Sequence, residues 1–264
     1  MEIIEPNQLT LEPNAIYLDL NDKALYAQQH VAKAQHLDSN QLLTHRPPIL
    51  GLLPNEADLV NLLNQFGITP EQTVYAYDDE GGNKAARLFW TLDVLGHQGK
   101  KILINGGVSG LQQSGLLANT SNHTEHAPHS YHANINQNVI ADRQYIIDNL
   151  DNPDTAFLDC RSDDEYYGRS DRATHSGHIP GAVHVDWVLT LESQPYRHIR
   201  PLEQVKQIYL SKGVTPEKEI IAYCHSNNRS AHTYMVLKAL GYPRVRAYDG
   251  GWSEWGNLFD THIE

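Results

Sequence analysis

Short apolar runs recur along the chain, each bounded by Gly, Pro, Asn or Asp and followed by a stretch of helical spacing. Phe157-Leu-Asp-Cys160, Glu219-Ile-Ile-Ala-Tyr223 and Val245-Arg-Ala-Tyr248 have the length and continuous hydrophobicity of strands buried on both faces of a parallel sheet. Leu202–Ser211 and Ala231–Leu240 carry the spacing of helices. Gly213 stops the first and Gly241-Tyr-Pro243 the second, since glycine accepts the left-handed backbone that closes a helix. Strand alternating with helix predicts an α/β fold, a mostly parallel sheet flanked by helices. In such sheets reactive groups collect at the carboxyl ends of strands. Cys224 follows the strand 219–223 directly.

Two stretches align without a gap. Phe66-Gly-Ile-Thr-Pro-Glu-Gln-Thr-Val-Tyr-Ala-Tyr77 matches Lys212-Gly-Val-Thr-Pro-Glu-Lys-Glu-Ile-Ile-Ala-Tyr223, with identities at Gly67/Gly213, Thr69/Thr215, Pro70/Pro216, Glu71/Glu217, Ala76/Ala222 and Tyr77/Tyr223. Leu18-Asp19 answers Leu158-Asp159, Leu95-Gly96 answers Leu240-Gly241, and Gly106-Gly107 answers Gly250-Gly251. Matches in one order at this density indicate one fold written twice. With roughly 150 residues to a domain, the expected organisation of the 264 residues is a first copy over 1–117, a linker over 118–138 and a second copy over 139–264. Directly after the matched Ala-Tyr the first copy has Asp78 and the second Cys224. From there to the following Leu-Gly the first copy is one residue longer. The scaffold is shared and the reactive group is not, so the second copy reads as chemical and the first as structural.

Composition narrows the partners. Hydrophobic residues are 40% and charged residues 20%, with 18 Gly and 13 Pro, which suits a globular chain. Lys+Arg 20 against Asp+Glu 32 gives a formal charge of -12. That balance repels phosphate backbones, and with no basic patch in the sequence no nucleic-acid partner is expected. No run reaches the ~18 apolar residues of a membrane helix. The acidic start Met-Glu-Ile-Ile-Glu-Pro lacks the layout of a signal peptide, so the expected compartment is the cytoplasm, without a membrane partner. Two cysteines, Cys160 and Cys224, make no disulfide framework and are expected as free thiols. In the linker His123, His126, His129 and His132 recur at intervals of three. No Cys or carboxylate arrangement beside them sets a coordination geometry, so they read as a polar spacer and no metal is assigned.

The segment Cys224-His-Ser-Asn-Asn-Arg229-Ser230 joins a strand end to a helix expected to begin near Ser230. A compact loop there turns its backbone N–H groups inward, and the helix adds its positive end. The Cys224 sulfur is expected at the centre of that cradle, its thiolate favoured below the free-thiol pKa of ~8.5. Backbone donors from His225, Ser226, Asn227, Asn228 and Ser230 would hold an anion, and Arg229 would close the loop with a permanently charged fork. Phosphate-ester hydrolysis and sulfane-sulfur transfer both use such a Cys and Arg. Four residues separate Cys224 from Arg229, whereas cysteine phosphatases have five, and a smaller ring suits a persulfide and crowds a phosphate. Phosphatase or arsenate reductase chemistry stays as the alternative.

Leu158-Asp-Cys-Arg-Ser162, Glu165-Tyr166, Gly177-His-Ile-Pro-Gly-Ala182, the Cys224 loop and Tyr248-Asp-Gly-Gly-Trp252 together resemble the two-domain rhodaneses (thiosulfate sulfurtransferases). The resemblance covers nearly the whole chain. His30-Val-Ala-Lys-Ala34 is a worn trace of the 177–182 segment in the first copy. The loop is most similar to that of bacterial rhodaneses ending in Arg, and departs from the Cys-Gly-Ser/Thr-Gly-Val-Thr loop of mercaptopyruvate sulfurtransferases. Those relatives often carry an Arg where this chain has Glu165, which weighs against an α-keto acid substrate. The resemblance implies two tandem rhodanese-like domains, the N-terminal one inactive, and a Cys224 persulfide passing sulfur from thiosulfate to a thiophilic acceptor such as cyanide, a thiol or a thiol-containing protein. It calls for no cofactor. A non-catalytic sulfur carrier is the further alternative, and a monomer is expected from the internal duplication.

The other candidates divide by role. Asp159 and Arg161 are expected to form a salt link under the loop. His225 could tune the thiolate or meet substrate, or simply face solvent. Trp187 could wall the pocket, while Trp252 and Trp255 pack. His178 is expected to be structural, and Cys160 buried and inert.

Overall fold

The computed structural model describes residues 1–118, 130–193 and 198–264, and these fall into two compact units. The first unit carries five parallel strands in the order β1-β8-β7-β2-β4, namely β1 (Glu2–Ile4), β2 (Ile16–Asp19), β4 (Gln35–His36), β7 (Val74–Tyr77) and β8 (Lys101–Ile104). A two-residue antiparallel pair, β3 (His30–Val31) with β9 (Leu117–Ala118), and the helices α1 (Lys23–Gln28), α2 (Glu56–Gln65), α3 (Asn83–Val94) and α4 (Gly107–Gln113) complete it. The second unit repeats the topology in the order β10-β14-β13-β11-β12. Its strands are β10 (Ile140–Ala141), β11 (Thr155–Asp159), β12 (Val183–His184), β13 (Glu219–Tyr223) and β14 (Val245–Tyr248), again all parallel. Its helices are α5 (Arg143–Asp148), α6 (Asp163–Tyr166), α7 (Leu202–Ser211), α8 (Arg229–Ala239) and α9 (Gly251–Trp255).

The strands form where the continuous apolar runs predicted them, and their residues are buried because helices cover both faces. Every residue of β2, β7, β8 and β11 is buried. In the first unit Tyr17, Tyr75, Tyr77, Ile102, Ile104 and Leu111 build the core. In the second Ile146, Phe157, Ile179, Ile221, Tyr248 and Trp255 do so, and Trp252 packs with them as expected. Helix α8 ends where Gly241, at φ +85°, lets Tyr242 N–H reach back to Leu237 C=O at 3.0 Å, a glycine-closed helix end.

The duplication extends to individual hydrogen bonds. Tyr77 Oη accepts from Val31 N, and Tyr223 Oη from Ile179 N. Tyr26 Oη donates to Ala34 C=O, and Tyr166 Oη to Ala182 C=O. His30 stacks on Tyr26 as His178 stacks on Tyr166. His178 is thus held structurally, its Nδ1 3.1 Å from Tyr166 C=O. The worn segment 30–34 retains the geometry of 177–182 through these contacts.

Two segments group against chain order. The hairpin β5 (Thr44–Arg46) and β6 (Ile49–Leu52) belongs to the second unit, whereas Leu191–Ile199 is assigned to the first. Of the expected linker, His123, His126 and His129 lie outside the described residues. Beyond them Tyr131 N donates to Asn64 Oδ1, and Asn134 and Asn136 N to Leu95 and Val94 C=O, so residues 131–136 are fastened to the first unit. Among the described residues no helix is long and apolar enough to cross a membrane.

Candidate active site

Cys224 leaves the carboxyl end of β13, and the chain turns through 225–228 into α8. The helix starts at Arg229, one residue before the expected point. Asn227 takes the left-handed conformation at φ +51°, which Asn tolerates better than most residues. The carbonyls of Cys224 and His225 are drawn off by Trp252 N at 2.7 Å and Ser253 N at 2.9 Å. With those carbonyls engaged by the first turn of α9, the loop's own N–H groups are left to face the sulfur. Hydrogen bonds from the backbone of Ser226 and Ser230 reach Cys224, and Ser230 Oγ lies 3.3 Å from Sγ. The same hydroxyl is 2.7 Å from Asn227 Oδ1. A hydroxyl carries one proton, and a thiolate, being charged, is the stronger acceptor for it.

Cys224 is 1% exposed, and burial by itself pushes a thiol pKa up. The Arg229 guanidinium, the Ser230 hydroxyl and the two backbone amides outweigh it, and the net displacement is below the ordinary thiol value. For Cys160 the Thr233 hydroxyl and the Arg229 charge pull the same way but do not offset burial. Burial pushes its thiol well above the ordinary value, which leaves it protonated and unreactive. Of two buried cysteines in one unit, the surroundings favour the thiolate of Cys224 and disfavour that of Cys160.

The Arg229 fork is engaged by a carboxylate. Its Nη1 donates to Glu165 Oε2 at 2.6 Å and its Nη2 to Oε1 at 2.9 Å, a bidentate pair. Glu165 is 7% exposed and also closes a capping box on α6, accepting from Ser162 N and Oγ. Burial opposes its charge, but Arg229 first and Ser162 second hold it down to a pKa of about 2. Below them, Arg161 Nε bonds both Asp159 oxygens at 3.0 Å and its Nη2 reaches Gly177 C=O at 2.7 Å. Its guanidinium lies over the Trp252 ring at 4.3 Å. The expected Asp159–Arg161 link is therefore present and wholly buried.

His225 does not face solvent. It is buried, and burial together with Arg172 and Arg229 lowers its pKa to about 4, so it is neutral at pH 7. Its Nδ1 has no hydrogen-bond partner among the described residues. Trp187 sits edge-on to His232 of α8, centroids 5.1 Å apart, and its backbone N–H donates to Cys160 C=O. Asn228 occupies the N-cap of α8 without a side-chain cap bond.

Sequence reasoning did not foresee three features. Glu165 was noted only as a departure from relatives, because a salt bridge across 64 residues leaves no local signal. The anchoring of the loop carbonyls by α9 was hidden inside the Asp-Gly-Gly-Trp motif. The hairpin β5–β6 was not associated with the site at all. Leu50 N donates to Ser253 Oγ and Leu53 N to Asp249, and a Cβ on Gly51 would fall 2.4 Å from Ser226 C=O.

In the first unit Asp78 fills the corresponding cradle. Its Oδ1 accepts from Glu80 N and Gly82 N and its Oδ2 from Ala85 N. Helices α3 and α8 end at the matched Leu95 and Leu240, so beyond the extra residue Lys84 corresponds to Arg229 and Ala85 to Ser230. Two of the three amides that hold the Asp78 carboxylate, Glu80 N and Ala85 N, are thus the counterparts of the Ser226 and Ser230 amides that hold the Cys224 sulfur.

The chain matches the rhodanese-like domain family over residues 7–114 and 142–258. It is 37% identical to a thiosulfate sulfurtransferase of Pseudomonas aeruginosa, covering 99% of this chain and 96% of that protein. It is 36% identical to a thiosulfate sulfurtransferase of Azotobacter vinelandii with the same coverage. A sulfur carrier protein of Thermus thermophilus is 30% identical over 96% of this chain and 91% of its own. Among solved structures, an anaerobic ergothioneine biosynthesis enzyme from Chlorobium limicola superposes with a TM-score of 0.81 at 21% identity. That alignment takes in 97% of this chain but only 66% of the other, and it speaks for the fold alone. With both halves matched and relatives aligned end to end, the chain belongs to the rhodanese-like domain family.

Proposed function

We propose that the protein is a thiosulfate sulfurtransferase in which Cys224 carries the transferred sulfur. The observation that carries this reading is the convergence of two backbone amides, the Ser230 hydroxyl and the Arg229 charge on one buried sulfur, enough together to reverse the effect of burial. The thiolate attacks the outer sulfur of thiosulfate. The S–S bond breaks, its electron pair leaves with sulfite, and an anionic persulfide remains on Cys224. Cyanide or a thiolate then attacks the terminal sulfur, and the electron pair of the broken bond returns to Sγ. This is double-displacement covalent catalysis, with amides that stabilise anionic sulfur as an oxyanion hole stabilises oxygen.

In this scheme Arg229 orients and shapes the loop through Glu165, and His225, neutral, offers Nδ1 to the incoming donor. Asn227 and Asn228 form the turn, and Asp159, Arg161 and Trp187 support it. A donor needs contact with Sγ, so turnover requires the surroundings of the buried Cys224 to give way. Glu165 places a carboxylate where an α-keto acid would need a cation, which favours thiosulfate over 3-mercaptopyruvate. The four-residue spacing to Arg229 disfavours phosphate esters. Two cysteines kept as free thiols suit the cytoplasm, and an internally duplicated chain suits a monomer.

The test is mass spectrometry after incubation with thiosulfate. The expected result is one added sulfur on Cys224, none on Cys160, and no transfer by a folded Cys224→Ala variant. Sulfur on Cys160, or undiminished transfer by the variant, would overturn the assignment. The name of the Thermus thermophilus relative favours a second reading, in which the persulfide is handed to a protein thiol. Persulfide formation in a single turnover without steady-state turnover on cyanide would decide for it.

A further inference from the structure

The first unit holds a crevice of about 610 Å³, within the ~300–1,000 Å³ range of small-molecule sites. It opens at the carboxyl ends of β2 and β4, where ligands gather on parallel sheets. The repeat explains why it is there. By strand register Asp19 faces His36 as Asp159 faces His184. The two histidines make the same contact, Nε2 at 2.8 Å from the backbone C=O of Asn21 and of Arg161. Counting from these anchors, Asn21 stands at the position of Arg161 and Ser39 at that of Trp187. Two of the bulkiest side chains at the reactive end of the second unit are thus replaced by small ones in the first, and the vacated volume is lined with polar groups.

The lining is balanced in charge. Lys23, Lys84, Asp22 and Asp38 all line it, and Lys84 stands at the position of Arg229. Here the counterpart of Glu165 is Leu25, so the bidentate clamp on Arg229 has no equivalent at Lys84, although the buried Asp78 charge acts on it. Itself half-buried, Lys84 pairs with Glu80 at 3.1 Å and more loosely with Asp22 at 3.8 Å, and both carboxylates are open to solvent, where an ion pair is readily exchanged. Asn21 is 5% exposed. Its Oδ1 is fixed by Asp79 N at 2.7 Å, and its Nδ2 meets the Asp19 carboxylate without closing a hydrogen bond of ordinary geometry. The N-terminus of α3 is taken by Asp78, which removes the anion site that the second unit offers.

We infer that this crevice is a binding site for a hydrophilic zwitterion of amino-acid to tripeptide size, its carboxylate toward Lys84 and Lys23 and its ammonium toward Asp22 and Asp38. A simple anion would gain little from so balanced a wall. An apolar ligand would strand its polar groups.

S-Methylglutathione is a suitable probe, because its blocked thiol cannot react with Cys224. Saturation-transfer NMR and calorimetry on the full-length protein are expected to show one site, with sulfate a poor competitor. Ser39→Trp refills the vacated volume and is expected to abolish binding. Asn21→Asp keeps the acceptor for Asp79 N, adds a negative charge, and is expected to weaken binding about tenfold, ~1.4 kcal/mol. Both variants are to be compared at equal folded fraction by thermal melting, with sulfur transfer by Ser39→Trp unchanged. The inference is overturned by absence of binding at about 10 mM, well above the ~1 mM of a weak specific site. It is equally overturned by binding that survives Ser39→Trp, or by sulfate competing as well as the zwitterion.

Discussion

Replacing Glu165 by Gln keeps the volume of the side chain and one acceptor but removes the charge to which Arg229 is bonded. The carboxyl is held at a pKa of about 2, against an ordinary 4.5. At ~1.4 kcal/mol per pKa unit this corresponds to about 3 kcal/mol of stability, in line with the ~3–5 kcal/mol expected for breaking a buried pair from one side. A carboxyl whose pKa is lower in the folded state contributes fully above its unfolded value. That contribution fades as pH falls from about 4.5 to about 2. Urea unfolding of both proteins across this range should therefore show a gap of about 3 kcal/mol at pH 7 that closes on acidification. The same substitution leaves Arg229 uncompensated beside the sulfur. The ultraviolet absorbance of the thiolate, titrated with pH, should move its midpoint lower by about one unit, the pull of a nearby charge at an effective dielectric of ~20. A stability gap independent of pH, or a thiolate midpoint that stays or rises, would refute the account of Glu165 as the counter-charge of Arg229.

Ser230→Ala removes the hydroxyl 3.3 Å from Sγ. Hydrogen bonds to charged groups are worth ~1.5–3 kcal/mol, so the thiolate midpoint should rise by about one to two units, and persulfide formation at neutral pH should slow accordingly in rapid-mixing kinetics. Asp78→Ala removes the acceptor of three amides, of which Gly82 N and Ala85 N are buried, and should lower stability by roughly 1–3 kcal/mol per unpaired group not reached by water. Its sulfur transfer per folded molecule should stay unchanged in a cyanide assay. Gly51→Ala puts a Cβ against Ser226 C=O at φ +73°, where a left-handed backbone alone costs ~1–2 kcal/mol. Both melting temperature and kcat should fall if the hairpin shapes the loop, and an unchanged kcat would detach it from the reaction.

Much of this protein is written locally. Strands 219–223 and 245–248 and the helix over 202–211 appear at the residues their apolar runs and glycine stops predict. The duplication was legible because two copies of one fold must satisfy the same periodicities, down to the Tyr–His–Ala contacts that the worn segment 30–34 still makes. The reactive cysteine was legible from its place after a strand, since a strand end is a position in the chain. What only the tertiary structure decided are the partners brought in from far along it. Glu165 meets Arg229 across 64 residues. The β5–β6 hairpin joins the second unit, Leu50 bonding Ser253 across 203 residues. Asp78 fills its own cradle, and a crevice opens where Ser39 and Asn21 replace larger side chains. These depend on distances, charge neutralisation and vacant volume, which arise only when elements remote in sequence pack together.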